Sequence, residues 1–373
     1  MISSSSSSGL RGRWVAWRNR LLASQDFQRF ATRWPGFRAV ARRQARGLFD
    51  LVAGFTYSQV LSACVDTGLL DALADGPQDR ESLASRTGLP VGGMERLLRA
   101  GASLGLVERL GDGWTLGVRG AAMRGNVGVA EMVAHHRLLY PDLADPVALL
   151  RRNGGGGALA SLWRYAEQAG PDDPDSVAYS ALMAASQPMV ASQVADAYPF
   201  RRHRRLLDVG GGEGVFLAAV GARAPGLDLG LFDLPAVVAR ARPRLASAGL
   251  GGRATTYGGD FLRGPLPTGY DVVSLVRVLH DHNDEPAMAL LANIHAALLP
   301  GGVLVIAEPM AGVRGVEAPA DAYFGLYLLA MGSGRARTPR EIGDMLRRVG
   351  FTRPRRHRSA MPLTASVISA RRE

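Results

Sequence analysis

His280 follows an apolar run, Val272-Val273-Ser274-Leu275-Val276, by a few residues and is followed at once by Asp281. An imidazole so placed can accept a proton near neutral pH, which makes His280 a candidate general base. Upstream, the apolar run Leu206-Leu207-Asp208-Val209 leads into Gly210-Gly211-Gly212-Glu213-Gly214. Glycines at 210, 212 and 214 let the main chain bend sharply and approach a ligand without Cβ clashes. Two further carboxylates close apolar runs: Asp233 after Leu229-Gly230-Leu231-Phe232, and Asp260 within Gly259-Asp260-Phe261. This is not a phosphate cradle. A G-x-G-x-x-G pattern fails at Val215, no G-x-x-x-x-G-K-[ST] occurs, and the chain has no lysine at all.

These residues need a common scaffold. Short apolar runs alternating with helical patterns predict an α/β fold with a Rossmann-like parallel sheet, which binds ligands outside the carboxyl ends of its strands. His280, Asp208 and Asp233 all fall at such ends. Asp233 and Asp260 also stand where strand-to-helix turns use N-caps, and the two uses are compatible.

The glycine turn resembles motif I of class I S-adenosylmethionine (SAM) methyltransferases. The segment Arg277-Val278-Leu279-His280-Asp281-His282-Asn283-Asp284-Glu285 resembles the catalytic segment of the plant-type O-methyltransferases, a family that includes caffeic-acid, flavonoid and acetylserotonin enzymes. The resemblance implies a seven-stranded sheet and SAM as methyl donor, with no metal. It places Asp208, Gly210 and Gly212 near the donor's cationic end, Asp233 on the ribose, Gly259, Asp260 and Phe261 around the adenine, and Arg277 beside the cofactor. It makes His280 the acceptor of the substrate's hydroxyl proton and Glu308 the carboxylate that fixes the imidazole tautomer. A second supporting glutamate is usual in a G-K-E-R-T-like segment, but here the chain reads Gly334-Arg335-Ala336-Arg337-Thr338. Tyr179 and Met183 occupy positions resembling acceptor-pocket residues, and ordinary helix core is the alternative for each.

Other histidines carry less. His135 and His136 are adjacent, so their rings are not expected to share a helix face, and their spacing does not suit a metal; one of them is a candidate for the acceptor pocket. His282 is expected to cap or face solvent.

The 373 residues allow more than one domain. Four segments are expected: a basic arm at 1–47, a winged-helix dimerisation domain at 48–120, a helical acceptor-pocket linker at 121–200 and a SAM-binding domain at 201–373. A helix over Tyr57–Ala74, a helix-turn-helix over 80–104 and a hairpin turning at Gly111-Asp112-Gly113 make the winged helix. The +11 net charge raises nucleic-acid binding, but the would-be recognition helix begins Val91-Gly92-Gly93 and is poor in groove-reading side chains, so none is expected. Cys64 is the single cysteine, which excludes an intrachain disulfide. The serine run at the start lacks a signal peptide's apolar stretch, and no span is expected to cross a bilayer, so a cytoplasmic setting is expected.

Residues 11–46 carry ten arginines against one acid, Asp26, interleaved with Trp14, Trp17, Phe27, Phe30, Trp34 and Phe37. Such a segment favours peripheral contact with an anionic lipid surface, here the inner membrane, or packs on a dimer partner. The arm resembles the start of the carotenoid-pathway O-methyltransferases of purple phototrophic bacteria, in Trp17–Ser24 and Ala41–Phe55. That resemblance implies a homodimer that methylates the tertiary 1-hydroxyl of an acyclic carotenoid. The alternatives are a phenol or polyketide O-methyltransferase, and a winged-helix regulator that senses SAM.

Overall fold

The computed structural model describes residues 5–162, 174–362 and 364–373, with side chains from residue 9 onward except at 127 and 174–183. The chain divides into two compact units, Met1–Gly120 and Ala121–Glu373.

In the first unit, α1 (Ser5–Ala23), α2 (Gln25–Arg33) and α3 (Pro35–Asp66) follow one another. Pro35 sits in the first turn of α3, where its missing N–H costs nothing. The apolar pattern places the helix start at Tyr57, whereas α3 starts at Pro35, so the arm and the first helix of the next segment are continuous. The helix stops at Thr67, and Gly68, at φ 67°, turns the chain into the short α4 (Leu69–Ala72). Asp79 caps α5 (Arg80–Thr87) by accepting the Ser82 N–H at 2.7 Å, and α6 (Val91–Ser103) follows. The hairpin of β1 (Val107–Leu110) and β2 (Gly113–Leu116) completes the winged helix. Cys64, Leu83, Met94 and Leu98 are wholly buried between these elements. One helix, α3, is long and apolar enough to cross a membrane by length and composition, contrary to the expectation of none.

The second unit opens with α7 (Val118–Arg124, its first turn shared with the first unit), α8 (Val127–Asp142), α9 (Pro146–Arg151) and α10 (Pro174–Ala197). Its sheet comprises β3 (Arg205–Val209), β4 (Asp228–Asp233), β5 (Ala254–Gly258), β6 (Tyr270–Val276), β7 (Leu298–Glu308), β8 (Phe351–His357) and β9 (Ser366–Arg372). The spatial order is β5-β4-β3-β6-β7-β9-β8, parallel except for β9, which runs antiparallel to both neighbours. Leu206, Leu207 and Val209 are fully buried because β3 is central and covered on both faces. On one face lie α10, α11 (Val215–Arg223) and α12 (Pro235–Ser247), through Val194, Phe216, Val220 and Leu245. On the other lie α13 (Asp284–Ala297) and α15 (Pro339–Arg348), through Leu290, Leu291, Ile342 and Leu346. Between them in sequence, α14 (Phe324–Met331) continues a single π-turn, Ala318–Tyr323.

Strand order reverses between β3 and β6, so their carboxyl ends flank a crevice. Packing inside the sheet is tight enough to test. A Cβ on Gly230 would lie 2.7 Å from Cζ of the buried Tyr270. Gly230→Ala should therefore cost about 1–3 kcal/mol, read as a lower urea midpoint with an unchanged slope. An unchanged midpoint would mean that Tyr270 yields freely.

Candidate active site

The glycine turn comes directly off β3. Gly210, Gly212 and Gly214 take φ of 68°, 57° and 81°, conformations that disfavour any other residue. A Cβ at Gly210 would meet Val278 at 2.7 Å, whereas nothing lies within 4 Å of one at Gly212. The turn is thus pressed on the segment that carries His280 at one end and open at the other.

Asp233, at the end of β4, braces the turn: its carboxylate accepts the Gly212 N–H and the Leu234 N–H, each at 2.7 Å. It caps no helix in the usual sense, since these donors are the turn and its own neighbour. Asp260 likewise closes a local turn, accepting the Leu262 N–H at 2.8 Å, with Arg263 3.4 Å away. Gly259 is held to Asp233 by its N–H at 2.9 Å, and a Cβ there would strike the Phe232 ring at 2.7 Å. Phe261 packs edge-on against His282, with centroids 5.4 Å apart. His282 is therefore buried rather than solvent-facing, because the Phe261 loop covers it.

Asp208 is buried. One carboxylate oxygen accepts the Ser274 hydroxyl at 2.6 Å, and the other has no partner. Burial pushes this carboxyl up to about 7, the Ser274 bond opposing. An unsatisfied buried acceptor beside an open glycine turn suits a donor with a cationic centre. By this test the residues present fit SAM: Asp208 and the turn at its cationic end, Asp233 and the Gly259–Phe261 loop farther along the strand ends.

His280 lies on a single 3-10 turn, Leu279–Asp281, and is 3% exposed. Burial first, then the positive charges of Arg277 and Arg337, lower its pKa to about 3, so the ring is neutral. Its Nε2 is 3.4 Å from Asp281 Oδ1, and its Nδ1 has no partner. Arg277, at φ 59°, ties this segment to β7 by donating its N–H to Ala307 at 2.8 Å, and its guanidinium reaches Ser186 at 2.8 Å.

Glu308 differs from expectation. Its carboxylate accepts the main-chain N–H of His280 at 3.0 Å instead of the imidazole, and its other oxygen is unpartnered. The reason is placement: β7 ends beneath the 3-10 turn, so the side chain meets the turn's amides. Burial pushes this carboxyl up to about 8, against the pull of Arg337. The carboxylate near the ring is Asp281, which burial pushes up to about 7.

The segment lacking the second glutamate supplies a different support. Ser333 donates to the Asp281 carbonyl at 2.8 Å, the Arg335 N–H to the His280 carbonyl at 2.9 Å, and the Gly334 N–H to the Asn283 side chain at 3.1 Å. Gly334, at φ 81°, has no room for a Cβ against the His280 carbonyl. Arg337 is wholly buried and donates to the carbonyls of Leu279 at 3.0 Å and His282 at 2.8 Å, and to Asp284 at 2.7 Å. Arg337 and Asp281 are not among the residues the sequence singles out for the site; the signal for Arg337 is its match to the arginine of the G-K-E-R-T-like segment.

His135 and His136 reach the same neighbouring element despite their adjacency. Their Nε2 atoms lie 2.8 Å from the hydroxyls of Tyr327 and Tyr323 respectively. Phe324 packs 6.0 Å from the His280 ring, so this element brings both pairs alongside the catalytic turn. Tyr179 and Met183 lie on α10, but their side chains fall outside the described residues. Among the described residues, no cluster of three or more His, Cys, Asp or Glu could hold a metal ion.

Comparison with known proteins agrees with this geometry. Residues 140–352 match the O-methyltransferase domain and residues 49–118 the O-methyltransferase dimerisation domain, which supports a homodimer. The chain is 45% identical to demethylspheroidene O-methyltransferase of Cereibacter sphaeroides, over 94% of its own length and 93% of the relative's. It is 42% identical to the enzyme of that name from Rhodobacter capsulatus, over 95% and 88%. Mitomycin 7-O-methyltransferase superposes with a TM-score of 0.75 at 25% identity, over 90% of this chain and all of that one. The chain belongs to the SAM-dependent O-methyltransferase family.

Proposed function

We propose that the acceptor is the tertiary 1-hydroxyl of an acyclic carotenoid of the demethylspheroidene type. Near-full-length identity of 42–45% to two enzymes named for that substrate is the observation that carries this reading. The same reading puts the protein on the cytoplasmic side of the inner membrane, with the arginine-rich arm in peripheral contact with lipid, since a long polyene resides there.

When bound, SAM supplies an electrophilic methyl group on a sulfonium centre. Asp208 and the glycine turn would hold its cationic end, with Asp233, Asp260, Phe261 and Arg277 along the remainder. His280 accepts the hydroxyl proton. Its neutral ring keeps one lone pair to take that proton. Asp281 lies 3.4 Å from the ring, while Glu308 holds the main chain of the same turn. A tertiary alcohol is far less acidic than a phenol, so full deprotonation in advance is disfavoured. Positioning then contributes more than basicity: oriented reactants gain ~7–11 kcal/mol, whereas general-base catalysis gives roughly 10²–10⁴-fold. A rigidly clasped His280 suits that balance.

The direct test follows a labelled SAM methyl group into 1-hydroxylated acyclic carotenoids in liposomes, beside a panel of phenols. Labelled carotenoid and inert phenols are expected; labelled phenols with untouched carotenoid would move the substrate to aromatic chemistry. The buried Glu308 adds a pH signature. Its pKa is raised above the ordinary carboxylate value, so the stability it contributes is present below that value and lost as pH rises through about 8. Glu308→Gln removes this titration. Thermal melts should show the variant gaining on the wild type as pH rises from 4.5 to about 8 and no further above it, and a gap independent of pH would refute the buried, raised carboxyl.

A further inference from the structure

The proposed lipid contact has a definite focus within the arm. At the junction of α2 and α3, Trp34 is extended (φ −80°, ψ 124°), which breaks the helix and folds two aromatic faces together. Phe30 stacks on Trp34 with centroids 5.9 Å apart, Trp34 meets Phe37 at 5.5 Å, and Phe27 meets Phe37 at 6.5 Å. Yet Phe30, Trp34 and Phe37 stay 48%, 53% and 44% exposed. A contiguous exposed aromatic cluster marks an interaction site, and Trp and Phe are favoured where apolar matter meets water. Arg29, Arg33 and Arg38 flank it, with Asp26, 3.7 Å from Arg29, the single acid of the arm.

We propose that this cluster is a wedge that enters the interface of an anionic bilayer, with the flanking arginines on the headgroups. The inference rests on the membrane reading above and makes it specific.

Two other occupants fit less well. A second copy of the chain would bring a second set of arm arginines toward the first, and like charges across an interface are costly. The cluster also precedes residues 49–118, which match the dimerisation domain. Exposed Leu48, Phe49, Leu51, Val52 and Phe55 on α3 lie at or within that match and suit the partner subunit instead. Nucleic acid would suit the arginines, but it offers no apolar phase for the exposed Leu10, Leu22 and Val40 of the same arm.

The experiment uses the full chain with vesicles of pure phosphatidylcholine and of phosphatidylcholine containing phosphatidylglycerol. Co-sedimentation is measured for wild type, for the triple variant Phe30→Ser, Trp34→Ser, Phe37→Ser, and for Arg29→Gln, Arg33→Gln, Arg38→Gln. These positions are exposed, and circular dichroism with light scattering checks fold and oligomeric state. Binding only to anionic vesicles is expected, weakened roughly fivefold per arginine removed and at least roughly tenfold by the aromatic triple variant. Brominated lipid should quench the wild type more than Trp34→Phe.

If the wild type ignores anionic vesicles, or prefers a duplex oligonucleotide, the membrane reading and the wedge both fail. If it binds vesicles while the aromatic variant binds equally well, only the wedge fails. If the aromatic variant becomes monomeric, the occupant is the partner subunit and the wedge is overturned.

Discussion

The guanidinium of Arg337 is the interaction on which the catalytic turn depends. It is wholly enclosed, and a buried charge is tolerated only when its donors are satisfied. Here they are used on the carbonyls of Leu279 and His282, either side of His280, and on Asp284, whose own carboxyl Arg335 and Arg337 hold below the usual range. One side chain thereby fixes both ends of the turn that carries the imidazole. The adjoining Ser333, Gly334 and Arg335 add main-chain bonds along the same stretch. Ala336 stands where the G-K-E-R-T-like segment has its glutamate, so in this chain the segment supports the histidine through the backbone of its turn.

The electrostatics around the turn are consistent with support of that kind. Arg277 and Arg337 both disfavour an imidazolium at His280, and burial disfavours it further. Asp208, Asp281 and Glu308 are each pushed up by burial. Apart from the buried Arg337 cation, the imidazole and the carboxyls of the crevice thus resist carrying charge. Such an environment suits a reaction that joins a cationic donor to a neutral hydroxyl, and it leaves the Asp208 carboxylate as an acceptor not already occupied within the protein.

Much of this was legible in the sequence because strand ends and glycines announce themselves. Asp208, the 210–214 turn, Asp233 and His280 follow from apolar runs and from backbone bends that only glycine tolerates, and the sheet order brings them to one crevice. What was not legible depends on returns of the chain. The G-K-E-R-T-like match puts the 334–338 loop near His280, but nothing in it signals that Arg337 clasps the carbonyls of Leu279 and His282, or that Glu308 meets a main-chain amide in place of a ring. The pairing of His135 and His136 with Tyr327 and Tyr323 likewise needs two distant helices in contact. The start of α3 at Pro35 was also hidden, because its first residues read with the basic arm at 1–47 and not with the helix that follows.

The central claim is that His280 acts on the acceptor's proton and takes no part in holding SAM. It is tested most directly by measuring SAM affinity and single-turnover methyl transfer on the same preparation of His280→Ala. Unchanged affinity with transfer slowed roughly 10²–10⁴-fold is the expected result. Full transfer rate in the variant, or a loss explained wholly by weaker SAM binding, would contradict the account.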